Sequence, residues 1–293
     1  MKIVSLLPAA TEIVSALGLL DCLVGRSHEC DFPEEVLDLP PLTRSRLDTS
    51  LPSETLDREV RRIVEQRLPI YLLDDERLAA LRPDVVVTQE ACEVCAVAKE
   101  QVVGSLRRTA CAATVVSLLP TRLGHVFEDV LNVARACGID GRGERLVTEL
   151  RGRMRAAMPA GKRPRVAVVE WLAPPMLAGH WVPESIEAAG GMAVGPAPGE
   201  RSKYVSWDEV RALRPDAVVV APCGFDLART IHESRPWAEL LRSIAPRVLL
   251  LDGNAYLNRP GPRIVDAIEL LAAWLRGELV PAERGSDLQS QMA

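Results

Sequence analysis

Cysteines and a histidine at ligand spacing carry the most distinctive chemistry in this chain. Cys92-x-x-Cys95 closes the stretch LRPDVVVTQEACEVC, His28-x-Cys30 lies in RSHECDFP, and Cys223 lies in LRPDAVVVAPCGF. Thiolates with an imidazole suit zinc in a Cys/His tetrahedron, and thiolates alone suit an iron–sulfur cluster. His28, Cys30, Cys92, Cys95 and Cys223 are therefore the candidate metal ligands. Plainer readings stand beside this one. The Cys-x-x-Cys pair also fits a redox couple, and His28 also fits a turn histidine bonded to a carbonyl. Cys22, Cys111 and Cys137 sit among apolar neighbours and read as core.

A second group of residues suits an organic ligand rather than a bare ion. Gln89 and Glu90 follow the apolar run Val85–Val87, Glu170 and Trp171 end another, and Phe225 follows Cys223 in the LRPDAVVVAPCGF stretch. Asn254 and Tyr256 follow a third run, Val248–Leu251. Trp171 and Trp181 serve packing or stack on a large planar ligand, and both uses stay open. Arg259 either caps a helix or grips a carboxylate or phosphate.

Short β-branched runs alternating with helical stretches must position these residues, which predicts an α/β fold with mainly parallel sheets. Lys2–Leu6 reads as a strand, Pro8 opens a helix that stops at Gly18, and Leu23–Gly25 is a second strand. Residues 34–52 read as irregular because of Pro40-Pro41 and Pro52. Ser53 caps a helix to about Arg67, and Asp74 starts another ending at Arg82. The remaining expected helices cover roughly 96–108, 123–137, 144–158, 183–189, 206–213 and 262–275. Strands are expected near 113–118, 165–170 and 248–251, and the polar tail after Arg276 is expected to fray.

Leu81-Arg82-Pro83-Asp84 recurs as Leu213-Arg214-Pro215-Asp216, each followed by a valine-rich strand. The repeat predicts two Rossmann-like lobes: residues 1–142, a connecting helix at 143–160, residues 161–276, and a polar tail at 277–293. Ligands of open α/β sheets bind beyond the carboxyl ends of the strands, where His28, Cys30, Cys92, Cys95, Cys223, Glu170 and Asn254 all fall. Two facing lobes would bring them to one cleft.

Bulk properties narrow the function. The 293 residues are 48% hydrophobic but only 4% aromatic, so the core must be built from Ala, Val and Leu. A net charge of −5 without a basic block speaks against nucleic acid. Pro8 and Glu12 interrupt the apolar amino terminus, which argues against a signal peptide, and no stretch is long enough for a membrane span. The expected location is cytoplasmic, with seven mostly reduced cysteines. G-x-x-x-x-G-K-[ST], H-E-x-x-H and G-x-S-x-G are all missing, and no nucleophile stands visibly paired with a base, so a binding protein is favoured over an enzyme.

The segments SLLPAATEIVSALGL, VGRSHECDFP and LRPDVVV, a long charged helix and a second α/β half together resemble the vitamin B12-binding proteins of ABC importers. These belong to the helical-backbone metal receptor, or cluster A, substrate-binding fold. The resemblance implies two Rossmann-like lobes on one rigid helix, with a cobalamin or related corrinoid, or another metal chelate, held between them. It further implies that Pro8, Ala9 and Thr11, with His28, Glu29, Asp31 and Phe32, line the pocket, and that an ABC permease is a partner. The chain departs from that family in its His-Glu-Cys and Cys-x-x-Cys elements and in lacking a recognisable leader. The leading expectation is a soluble receptor for a corrinoid or other metal chelate. The alternative is a cytosolic protein whose Cys/His-ligated zinc or iron–sulfur site occupies the same cleft, with catalytic use left open.

Overall fold

The computed structural model describes residues 1–90, 97–159 and 161–288. Two compact units emerge: 1–51, 58–120 and 125–149 form the first, and 52–57, 121–124 and 150–293 the second.

In the first unit, apart from the starts of α2 and α5 that group with the second, β1 (Ile3–Ser5), α1 (Pro8–Ala16), β2 (Leu23–Gly25), β3 (Thr43–Ser45), α2 (Ser53–Glu65), β4 (Tyr71–Leu73), α3 (Asp75–Leu81), β5 (Val85–Gln89), α4 (Lys99–Arg108), β6 (Thr114–Leu118) and α5 (Leu123–Ala136) follow in order. Four of the strands make a wholly parallel sheet in the order β2-β1-β5-β6. Parallel strands covered by helices need near-continuous apolar runs, which is why Val85, Val86 and Val87 are all buried. Val4, Leu6, Leu78, Val86, Val102 and Leu106 form the core, each such side chain worth about 1.5–3 kcal/mol of burial. The stretch expected to be irregular holds β3, which pairs antiparallel with β4 as Thr43↔Leu73 and Ser45↔Tyr71. Pro40-Pro41 and Pro52 flank β3 rather than abolish it, and helix α2 separates it from β4. On α5, Asp129 is 4% exposed. Its Oδ1 accepts from the Leu119 N–H at 3.5 Å, and its Oδ2 has no hydrogen-bond partner among the described residues.

Helix α6 (Asp140–Ala157) runs through the boundary of the two units and starts four residues earlier than its glycines suggested. The second unit continues with β7 (Arg165–Leu172), β8 (Pro175–Leu177), α7 (Val182–Ala188), β9 (Met192–Ala193), β10 (Lys203–Tyr204), α8 (Trp207–Ala212), β11 (Ala217–Val220), α9 (Leu227–Ser234), α10 (Ala238–Ile244), β12 (Arg247–Leu251), α11 (Ile264–Leu275) and β13 (Gly285–Asp287). Its sheet runs β10-β8-β7-β11-β12-β13, with β9 also on β7. The centre, β7-β11-β12, is parallel, while β8, β10 and β13 add antiparallel edges. The tail expected to fray instead supplies β13, whose pairing with Leu249, Leu250 and Leu251 covers a buried strand edge. The capping box at Ser206 and Glu209 forms as expected. Valine, leucine and alanine dominate the core here as well.

The LRPD repeat is a structural joint. In the first unit Arg82 takes a left-handed φ of 48°, and in the second Arg214 takes 46°. The Asp84 carboxylate accepts the Lys2 N–H at 2.7 Å, while the Asp84 N–H donates to the Lys2 carbonyl at 2.8 Å. Asp216 does the same with Arg165, at 2.8 Å for both bonds. Even the basic side chains correspond: Lys2 Nζ donates to the Leu81 carbonyl and Arg165 Nη2 to that of Leu213. Each Asp therefore stitches the start of one parallel strand to the start of its neighbour. Asp84→Ala and Asp216→Ala should each lower stability by about 1 kcal/mol, read as a shifted urea midpoint with unchanged slope. Equal midpoints for wild type and both variants would remove the joint from the account.

Candidate functional site

Ends of strands β1 and β2 and the antiparallel β3-β4 pair assemble a polar cluster in the first unit. Pro8 at the first turn of α1 needs no N–H partner, and its neighbour Ala9 is buried, so α1 starts directly where β1 ends. Thr11, one turn in, is buried and donates to Ser5 Oγ at 2.8 Å; its hydroxyl also lies 3.0 Å from Cys30 Sγ. Cys30 is 1% exposed. Its thiol is thus engaged with α1.

His28 is half-buried beside this group. Its backbone N–H donates to Thr43 Oγ1 at 3.0 Å, and its Nδ1 lies 2.7 Å from the same oxygen. Thr43 has one hydroxyl proton, and Ser27 Oγ lies 3.1 Å away to receive it. In that arrangement Nδ1 carries the imidazole hydrogen and Nε2 keeps a lone pair, with no hydrogen bond to it among the described residues. Burial, and secondarily the positive charge of Arg26, hold the His28 pKa below its ordinary value, so the ring is neutral near pH 7. Tyr71 donates to Glu29 Oε1 at 2.8 Å, and its ring centroid lies 5.5 Å from that of His28. Asp31 and Phe32 are exposed just beyond. On β5, Gln89 is buried at the strand end and bridges to Ala98, while the exposed Glu90 meets Lys99 at 3.3 Å. Cys92 and Cys95 lie outside the described residues.

Carboxyl ends of β7, β11 and β12 form the corresponding set in the second unit. The Cys223 N–H donates to the Glu170 carbonyl at 3.1 Å, and the Cys223 side chain is exposed. Trp171 and Phe225 are both buried, their rings 5.1 Å apart, with the Arg229 guanidinium 3.7 Å over Phe225. Trp181 is half-buried and donates its indole N–H to the Leu257 carbonyl at 2.8 Å. The loop after β12 is drawn tightly to that after β11. Asn254 N–H donates to the Phe225 carbonyl, Asn258 Nδ2 donates to the Ala221 carbonyl at 2.8 Å, and a Cβ on Gly253 would stand 2.0 Å from the Pro222 oxygen. Tyr256 and Arg259 are buried within it. Burial pushes the Asp252 carboxyl up despite the Ala255 and Asn254 N–H groups and the nearby Arg259.

Thr43, Tyr71 and Ser27, which brace His28, were not legible as site residues. Thr43 comes from β3 in the proline-rich stretch and Tyr71 from its partner β4 beyond α2; a Thr and a Tyr at short strand-forming runs were the only signal. Among the described residues no group of three or more His, Cys, Asp or Glu is placed to hold a metal ion. Cys30 is sealed against Thr11, so the zinc or iron–sulfur reading finds no support among the described residues.

The family described as periplasmic binding protein matches residues 3–240. The Vitamin B12-binding protein of Vibrio cholerae is 22% identical over 281 residues, covering 94% of this chain and 89% of that protein. Among solved structures, a periplasmic heme binding protein from Pseudomonas aeruginosa shares the fold at a TM-score of 0.71, with 22% identity over 98% of this chain and 97% of that one. The periplasmic heme-binding protein RhuT from Roseiflexus sp. RS-1 does so at 0.66, with 23% identity over 93% and 96%. These similarities overturn the cytoplasmic expectation, which rested on the interrupted apolar run at the amino terminus. No described helix is long and apolar enough to cross a membrane.

Proposed function

We infer the ligand class from family membership: this chain belongs to the periplasmic binding protein family, and it acts as a receptor for a tetrapyrrole-type metal chelate, a corrinoid or a haem. The relatives named for vitamin B12 and for heme support that class, as do their nearly full-length matches. The corrinoid is the first ligand to try, because the curated relative that matches is named for vitamin B12. The proposed setting is the periplasm, and the proposed partner is the permease of an ABC importer. The cargo metal arrives inside its chelate, so the protein has no need of a resident ion.

His28 carries the reading at residue level. A neutral imidazole with Nδ1 held by Thr43 and a lone pair on Nε2 is a ready axial ligand for cobalt or iron. Thr43 fixes the tautomer, and the Glu29–Tyr71 bond holds β4 beside it. In the second unit Glu170, Asn254, Tyr256 and Arg259 are the corresponding candidates for hydrogen bonds to a ligand's amides or carboxylates.

Titration of the protein with hydroxocobalamin, and separately with haemin, tests this. A saturable one-to-one shift of the visible spectrum is expected with one of them. His28→Ala should weaken that complex by about tenfold and alter its spectrum, which a merely structural histidine would not do. No spectral change with either chelate would reject the proposed ligand class. A complex indifferent to His28→Ala would remove the axial role and leave the class standing.

A further inference from the structure

Phe225, Arg229 and Glu233 stand at successive fourth positions across the start of α9, in the second unit. The Asp226 carboxylate caps this helix by accepting the Arg229 N–H at 2.7 Å. Long side chains on a helix lean back toward its amino end, and Arg229 does so, its guanidinium lying 3.7 Å over the Phe225 ring. That ring is 1% exposed and packs against Trp171, with the centroids 5.1 Å apart. One turn on, Glu233 Oε1 lies 3.8 Å from Arg229 Nη2, and its Oε2 accepts the Ser53 hydroxyl at 2.9 Å. Ser53 belongs to residues 52–57, which group with the second unit, so the carboxylate is held from two elements of that unit. Burial lowers the Arg229 pKa against the pull of Glu233 and Asp226. A partly desolvated cation of this kind gains most from an aromatic face.

The backbone beneath the Phe225 ring joins the two loops of the strand-end set. Its carbonyl accepts the Asn254 N–H at 3.1 Å, and its N–H donates to the Pro222 carbonyl at 3.2 Å. A ring gripped by a cation therefore fixes the turn after β11, and through that carbonyl the loop after β12. We propose that Arg229, braced by Glu233, is a positioning residue of the second-unit site: it clamps Phe225 and so holds Asn254, Tyr256 and Arg259 in the arrangement that meets the chelate. The clamp itself is independent of the ligand, but its effect on affinity rests on the chelate reading above. Arginine suits the role because its planar guanidinium stacks on a ring while its edge faces a carboxylate; the ammonium of lysine is compact and strongly hydrated, and does only part of this.

Amide hydrogen exchange of the full chain without ligand tests the clamp. Arg229→Gln should speed exchange of the Phe225 and Asn254 amides by about tenfold and leave the amides of β11 and β12 at wild-type rates. Glu233→Gln keeps an acceptor for Ser53 but removes the charge, and should give a smaller rise at the same two amides. Titrations with hydroxocobalamin and haemin then read the effect on the site. Arg229→Gln should bind the chelate that wild type binds about fivefold more weakly, with Arg229→Lys in between. Arg235→Gln, at an exposed position of the same segment, should match wild type in both measurements. Wild-type exchange at both amides in Arg229→Gln overturns the proposal, and so does faster exchange spread evenly over the strands, which marks a general loss of stability. Faster loops with undiminished chelate affinity overturn the positioning role. If wild type binds neither chelate, the ligand class is rejected, and the exchange rates still decide the clamp.

Discussion

Replacing Asp129 by Asn makes the protein more stable above neutral pH and flattens its stability profile between about pH 4 and about pH 7. Burial, with a smaller push from Glu128, raises the Asp129 carboxyl from 3.8 to about 7 against the pull of the Leu119 N–H. The sign follows from proton counting. Between those values the folded state holds the proton and the unfolded state has lost it, so the unfolded state binds fewer protons and stability falls as pH rises. The stabilisation is complete below the unfolded value and gone above the folded one. Over that window the loss amounts to roughly 3 kcal/mol, because each pH unit is worth up to about 1.4 kcal/mol. Asn keeps the acceptor for Leu119 and removes the charge, so its advantage should be absent near pH 4 and grow toward pH 7. Urea denaturation of both proteins across that range measures it, and parallel curves at every pH would refute the assignment.

Gly253→Ala is expected to cost roughly 3 kcal/mol and to weaken chelate binding together with stability. Its Cβ would stand 2.0 Å from the Pro222 oxygen and 2.8 Å from the Pro222 carbon, both backbone atoms, so one of the two loops must move. Those loops carry Cys223 and Phe225 on one side and Asn254, Tyr256 and Arg259 on the other. A thermal melt and a chelate titration on the same preparation give both effects. A variant that melts with wild type would show that the loops accommodate the methyl group and are not held as tightly as their contacts imply.

The two-lobed α/β plan was legible because valine runs, helix stops and the LRPD repeat are local signals that agree with one another. Asp84 and Asp216 show how far this went, for the same four letters make the same hydrogen bonds in both units. The β3-β4 pair was not legible, because three-residue strands beside prolines, with α2 between them, leave no periodicity to read. Nor was β13: Gly285–Asp287 is polar, and only the neighbouring edge of β12 makes it a strand. At the site, His28 stood out by type, but Thr43, which sets its tautomer, is fifteen residues away and arrives only through β3. Cys30 beside a histidine reads as a ligand in the sequence, and the fold places its buried thiol against Thr11. The location was misjudged because an interrupted apolar run is a weak guide to compartment.

The LRPD joints tie strands together at their amino ends, whereas the residues proposed to meet the chelate sit at the carboxyl ends of those same strands. Scaffold and recognition therefore occupy opposite termini of each sheet. The loops after β2, β11 and β12 can be exchanged for those of a relative with another cargo while both joints remain untouched. This makes the chain a suitable frame on which to graft a new chelate preference.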